Sequence, residues 1–365
     1  MPSQILHTMF GEDVISGLYN ALEKETGGRF TSTVGAAREK IFCDYRGAFI
    51  LGCQGPDIFY HSQRLKPVAV EYGSLLHRRG YGVFSANLLK MGLPDPLPKE
   101  EDIKNDRIEN GINSHGAYAL GFMTHAFLDR ACHPYIIYRG ANYHSFFERI
   151  IDALMLKELR GLVPSSWDQE ITLAAVCEDP PPGLKESIAA SFAAAFPQKV
   201  KNDRNLARRI DNAFTDSARF FQMTSPSGIK AAFSARSNAE RPVFTRSSLN
   251  YVYPENLPED IDFLNMNHRP WRYPHISSGS ETPKDDNRSF PEIYSDAINS
   301  AVDTIAPIIK QYFESGVFPP AAAEKIGNQG LSILDENGKP CSPNLTELFP
   351  LEQVMEQQAK LRGVD

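Results

Sequence analysis

Five side chains able to bind a divalent cation fall between Ser114 and Glu148: His125, Asp129 and His133, then His144 and Glu148. Residues four apart on an α-helix lie on nearly one face, about one turn apart. His125 with Asp129 therefore makes a two-point claw, and His144 with Glu148 makes a second. Either pair alone recurs by chance and is ordinarily a solvated or packed helix face. Together they form an imidazole and carboxylate donor set of the kind that suits catalytic zinc or a related divalent ion, and they point to a centre with more than one metal. Pro134 disfavours helical geometry at the residue before it. The first helix is thus expected to end at His133, leaving that side chain to lean towards the second claw.

The elements that must carry these residues read as helices throughout. Asn113 to His133 is rich in small residues (Gly116, Ala117, Ala119, Gly121, Ala126), as a helix closely surrounded by others requires. His144 to Leu159 has an apolar stripe of Phe147, Ile150, Ile151, Leu154 and Met155, with His144, Glu148 and Asp152 along its edge. Upstream, His7 to Leu22 has helical apolar spacing and ends at Gly27-Gly28. A second helix is expected within Thr33 to Ile50, feeding the turn Gly52-Cys53-Gln54-Gly55-Pro56-Asp57, which delivers Asp57 from the end of an apolar segment. Glu71 to Leu89 carries His77 in a helical pattern interrupted at Gly80 and Gly82, before a polar loop from Gly92 to Asp106. Helices follow at Trp167 to Val176, Leu184 to Phe196 and Asn205 to Met223.

From Ser225 to Arg288 the periodicity dissolves. Ser289-Phe290-Pro291-Glu292 then has the form of a capping box that starts a long helix. A turn at Glu336-Asn337-Gly338 and a helix from Leu351 to Leu361 complete the chain. With little strand alternation the class is all-α. The expected organisation is a helical metal-binding core over 1–224, an irregular segment over 225–288 that covers the cleft, and a helix and tail over 289–365 packed on the same domain.

Composition narrows the function. At 365 residues the chain can bury a large core, and its net charge of −7 gives no general attraction to nucleic acid or an anionic membrane. The five cysteines are scattered and never spaced as C-x-x-C, so they read as reduced thiols rather than disulfides or a thiolate zinc site. No signal-like segment and no long apolar run is present, so a cytoplasmic location without a transmembrane segment is expected. Oligomeric state is not legible.

The run Gly121-Phe122-Met123-Thr124-His125-Ala126-Phe127-Leu128-Asp129, continuing to His133-Pro134 and then His144-x-x-x-Glu148, resembles the zinc-dependent phospholipase C family, whose relatives include zinc nucleases acting on single strands. The likeness covers approximately residues 1 to 160. It implies a multi-helix bundle of that type, here with a loop-rich C-terminal extension, holding two to three zinc ions or other divalent metals. Carried over by position, Asp57, His77, His125 and Asp129 would form one site, and His133, His144 and Glu148 a second. His7 and Asp129 would contribute to a third, with Asp129 bridging. His77 is chosen over His61 because Gly73-Ser74-Leu75-Leu76-His77 suits a helix-borne ligand. Secreted members complete the third site with an N-terminal tryptophan, whereas this chain starts Met1-Pro2.

The resemblance implies a phospholipase C-like hydrolase whose substrate is a small-molecule or phospholipid phosphate ester. Phosphorus would be attacked by a metal-bridging hydroxide, and Asp57 would serve as a catalytic proton acceptor. Two alternatives stand beside it: a nuclease-like phosphodiesterase, which the acidic net charge disfavours, and a non-catalytic, metal-stabilised binding or scaffold protein. The stretch Asn267 to His275 has two readings as well. It is either a surface loop anchored by Trp271, or a cover in which Arg269 or Arg272 binds the substrate phosphate and His268 or His275 lies near the leaving group.

Overall fold

Helices account for nearly all the regular structure of the computed structural model, which describes residues 4–25, 27, 31–93, 112–167, 169–225, 227–229, 246–274, 283–331 and 347–363. In order these are α1 (Gln4–Glu25), α2 (Thr31–Phe42), α3 (Arg46–Cys53), α4 (Val70–Arg78), α5 (Tyr81–Gly92), α6 (Ser114–Gly140), α7 (His144–Arg160), α8 (Gln169–Glu178), α9 (Leu184–Ala195), α10 (Pro197–Lys201), α11 (Leu206–Thr224), α12 (Phe290–Ser315), α13 (Ala322–Ile326) and α14 (Leu351–Leu361). The class is all-α. Among the described residues the one departure is an antiparallel ribbon of β1 (Trp271–Pro274) and β2 (Pro283–Asp286), with Trp271 opposite Asp286. The turn expected at Glu336-Asn337-Gly338 and most of the Gly92 to Asp106 loop lie outside the described residues.

The central helix α6 begins where the Asn113 side chain accepts the Gly116 N–H at 2.8 Å, satisfying one of the donors that a helix start leaves open. It does not end at His133. Pro134 lies inside it, and the helix runs on to Gly140. An internal proline costs about 3 kcal/mol through its missing N–H and its clash with the preceding turn. Buried Tyr135, Ile136 and Tyr138 lie just beyond it, and the area they bury is enough to offset that cost. His133 consequently stays in line with His125 and Asp129 on one stripe.

Glycines set how close the neighbours come. Gly52 of α3 packs on the Tyr118 carbonyl, and Gly121 of α6 packs on the Phe49 carbonyl, so a side chain at either position would overlap backbone. Gly80 takes a left-handed φ of 75° and separates α4 from α5, giving the break expected there. Helix α12 starts with the expected box: Ser289 N–H donates to Glu292 at 2.7 Å, and the Glu292 N–H returns to the Ser289 hydroxyl at 3.4 Å. One continuous core joins Leu6 and Phe10 of α1, Phe122 of α6, Phe290 and Ile305 of α12, and Leu351 of α14. Residues on both sides of the irregular segment thus share it.

Behind α1 sits a second set of buried polar groups. Asp152 of α7 accepts the Ile5 N–H at 2.9 Å, and the Tyr253 hydroxyl donates to Glu170 at 3.2 Å. Burial pushes the Glu170 carboxyl up to about 7 from an ordinary 4.5.

Two outcomes follow. Gly121→Ala gains about 1 kcal/mol of helix propensity but drives a methyl into the α3 backbone, so a net loss of about 2 kcal/mol is expected in denaturant unfolding. For Glu170, the native state keeps a proton that the unfolded chain has already lost between about pH 4.5 and 7. Stability therefore falls as pH rises through that window. Glu170→Gln should match the unsubstituted protein near pH 4.5 and exceed it above pH 7 by up to ~3 kcal/mol; a difference independent of pH would refute the assignment.

Candidate metal centre

Four elements deliver the cluster. His7 comes from α1, His77 from the last turn of α4, and His125 and Asp129 from the stripe of α6 that faces α3. Asp57 sits on a 3-10 turn (Gly55–Phe59) that leaves α3 through Gly55 at φ 54°. The glycine is required twice: for that φ, and because a side chain there would collide with the His125 ring.

Asp129 lies at the middle, fully buried. Its Oδ1 is 3.6 Å from His7 Nε2, while its Oδ2 is 3.4 Å from His125 Nε2 and 3.8 Å from His77 Nε2. His77 Nε2 lies 3.1 Å from Asp57 Oδ1. The His7 and His125 rings stack at 4.0 Å. Two triads bring their ligand atoms within 4.8 Å of one another: His7, His125 and Asp129, and Asp57, His77 and His125.

Hydrogen bonds on the far side of two rings fix their tautomers. His125 Nδ1 lies 3.1 Å from the Cys53 carbonyl and His77 Nδ1 lies 2.8 Å from the Gly73 carbonyl. A carbonyl can only accept, so each Nδ1 carries the proton, and in the neutral rings each Nε2 presents a lone pair to the cluster. This is the support that metal-bound imidazoles ordinarily have. The Nε2 atoms of His7, His77 and His125, both oxygens of Asp129 and Oδ1 of Asp57 are all buried without a hydrogen-bond partner. Lone pairs thus face lone pairs at 3.1–3.8 Å. Buried polar atoms are nearly always satisfied, and a divalent cation satisfies this arrangement.

The electrostatics of the cluster are set by burial and by the neighbouring charges. Burial, helped by the neighbouring His125, pulls the His7 imidazole down to about 4, so it is neutral at pH 7. Burial alone would raise Asp129, but His125 and His7 beside it hold its carboxyl well below the usual range. Asp57 is likewise lowered by His77 and His125 against the effect of burial. Burial works against a charge on His125 too, yet Asp129 and Asp57 leave it raised.

Among the described residues His133, His144 and Glu148 do not form a further triad of this kind. They are neighbours all the same: His144 is close enough to influence the titration of both His133 and Glu148, whose own shifts come first from burial. His144 Nδ1 bonds the Ala141 carbonyl at 2.9 Å, leaving its Nε2 as an acceptor. His61, the alternative to His77, is held elsewhere. Its Nδ1 lies 3.2 Å from the Ser217 hydroxyl and its ring stacks on Phe220 at 3.9 Å.

The ribbon does not bring Trp271 over the cluster. Trp271 is buried against Tyr135 at 5.3 Å and donates its indole N–H to the Arg288 carbonyl at 3.3 Å. At about 100° per residue, Tyr138 lies nearly opposite the stripe of His125 and Asp129, and Tyr135 about a quarter-turn from His125. Trp271 thus anchors the ribbon on the bundle. Arg269, two residues before Trp271, is exposed. His268 bonds the Asn287 carbonyl at 3.2 Å and faces Glu292 at 3.3 Å. The Arg272 side chain and His275 lie outside the described residues. Sequence reasoning missed the Cys53 and Gly73 carbonyls, which orient the rings; the only signal for Gly73 was its place four residues before His77.

No family model, curated protein or solved structure matches the chain.

Metal-replete protein measured by elemental analysis should hold at least two ions per chain, and one or none would overturn the assignment. Asp129→Asn should cost more metal than His7→Ala, because both oxygens of Asp129 face imidazoles. Affinity should fall as pH drops, since His125 takes up a proton beside Asp129 and must lose it to bind.

Proposed function

We propose that this chain is a metal-dependent hydrolase of phosphate esters, of the phospholipase C type that its α6 motif resembles. The observation that supports this most directly is the set of buried imidazole and carboxylate acceptors facing one another without donors between them. Nitrogen and oxygen ligands without thiolate suit a catalytic divalent ion such as zinc.

The tautomers divide the ligands. His125 Nδ1 is committed to the Cys53 carbonyl, so its single Nε2 serves one ion. Asp57, His77, His125 and Asp129 Oδ2 would hold that ion, and His7 with Asp129 Oδ1 would contribute to another, the Asp129 carboxylate bridging the two. Such ions supply Lewis acidity towards phosphoryl oxygens and bring the pKa of bound water near neutrality. The chain's own groups do the rest. Asp57, 19% exposed where His7, His77, His125 and Asp129 are at most 2% exposed, marks the accessible side of the cluster. Its carboxylate, held ionised, is placed to accept a proton there. Tyr60, whose ring lies 4.9 Å from that of His77, walls the same side.

The near-complete burial of the other four ligands favours a second reading, a metal-stabilised protein without catalysis. Hydrolysis of a panel of phosphodiesters and phosphomonoesters, including phosphorylcholine esters and mixed phospholipid micelles, separates the two. The enzyme reading expects turnover of a phosphodiester that chelator abolishes and metal restores, and a loss of roughly 100-fold or more in kcat for Asp57→Asn. If chelator lowers the melting temperature while no ester is hydrolysed by metal-replete protein, the centre is structural.

A further inference from the structure

The side of α6 turned away from the cluster lines a hollow of about 460 Å³, within the size range of small-molecule sites. Phe127, Arg130 and Ala131 of α6 form one wall, and Ile293, Ala297 and Thr304 of α12 form the other. The ribbon residue Trp271 closes one end, and α13 with the turn after it closes the opposite end through Lys325.

Charge is distributed unevenly between the ends. Beside Trp271, Arg288 is fully engaged, bonding Asp286 at 3.0 Å and Asp296 at 2.7 Å. Two carboxylates and one guanidinium leave that end with a surplus negative charge. At the α13 end, Arg130 donates to the carbonyls of Ile326, Gly327 and Gln329 at 2.6, 3.0 and 3.3 Å. These are neutral acceptors. Arg130 remains charged in a largely buried setting with its Nε–H buried and unpaired; Asp129 acts on it from beyond ion-pair distance, and Lys325 stands exposed at the mouth of the hollow. A largely buried charge without a direct ion pair is costly, and an anion entering from the hollow would relieve that cost. Between the ends lies an apolar stretch set by Phe127, Ala131, Ile293 and Ala297.

We propose that this hollow binds a small molecule bearing a phosphate or carboxylate, the anionic group held by Arg130 and Lys325 and an apolar body laid along Phe127, Ala131, Ile293 and Ala297. The site is separate from the metal cluster and does not depend on the activity assigned to it.

The chain has two tryptophans, so Trp167→Phe leaves Trp271 as the only indole and makes its fluorescence a direct probe of the hollow. Full-length protein in this form is titrated with phenyl phosphate, benzoate, phenol and inorganic phosphate. The expected result is a saturable change with phenyl phosphate or benzoate at least tenfold tighter than with phenol or inorganic phosphate; which of the two anions binds tighter identifies the preferred group. Lys325→Glu should weaken that binding at least tenfold. Ala297→Phe, which fills the apolar stretch, should abolish it while metal content stays unchanged. Calorimetric titration of the unsubstituted protein repeats the comparison should Trp167→Phe fold poorly. Equal binding of phenol and phenyl phosphate, indifference to Lys325→Glu, or binding that persists in Ala297→Phe would each overturn the proposal.

Discussion

A single buried carboxylate sets the terms for this protein. Asp129 is wholly inaccessible and has imidazoles on both of its oxygens, at 3.4–3.8 Å. An ionised carboxylate in such a place is strongly disfavoured unless positive charge lies beside it. The surrounding architecture brings imidazoles, the donor type a cation would need, to that carboxylate from three directions. His125 arrives on the same helix, one turn earlier. His7 and His77 arrive on helices that reach the centre from elsewhere in the chain.

That convergence depends on backbones packed closer than ordinary side chains allow. Gly52 and Gly121 let α3 and α6 touch along their main chains, and the same approach brings the Cys53 carbonyl within 3.1 Å of His125. One contact therefore does two jobs, fixing the helix pair and fixing which ring nitrogen faces the cluster. Gly55 continues the theme, turning the chain against the face of the His125 ring so that Asp57 follows two residues later. Much of what orients the buried imidazoles thus lies in main-chain geometry.

This explains what was legible in the sequence. The stripe of His125 and Asp129 could be read from spacing because helical periodicity is local, and the all-α class followed from the same signal. His7, Asp57 and His77 carry no local mark; only the family resemblance ordered them, and the geometry draws them together with the stripe. Pro134 misled, because the rule for the residue before a proline describes an isolated backbone, whereas here Tyr135, Ile136 and Tyr138 bury enough surface to keep the helix going. The neighbourhood of Trp271 was open to two readings because residue types suited to phosphate do not encode direction; the indole itself packs on Tyr135 and Tyr138 of α6.

The turn after α13 reaches back to the helix that carries His77. The Leu331 N–H donates to the His77 carbonyl at 2.8 Å, the Gly80 N–H donates to the Asn328 carbonyl at 3.1 Å, and Arg130 grips the carbonyls between Ile326 and Gln329. The end of the helix bearing His77 is therefore clamped by residues some 250 positions downstream. During synthesis the ribosome delivers α1, α4 and α6 long before that clamp exists. The contacts that hold the end of the His77 helix are therefore long-range in sequence, of the kind whose closure cannot precede synthesis of the distal segment.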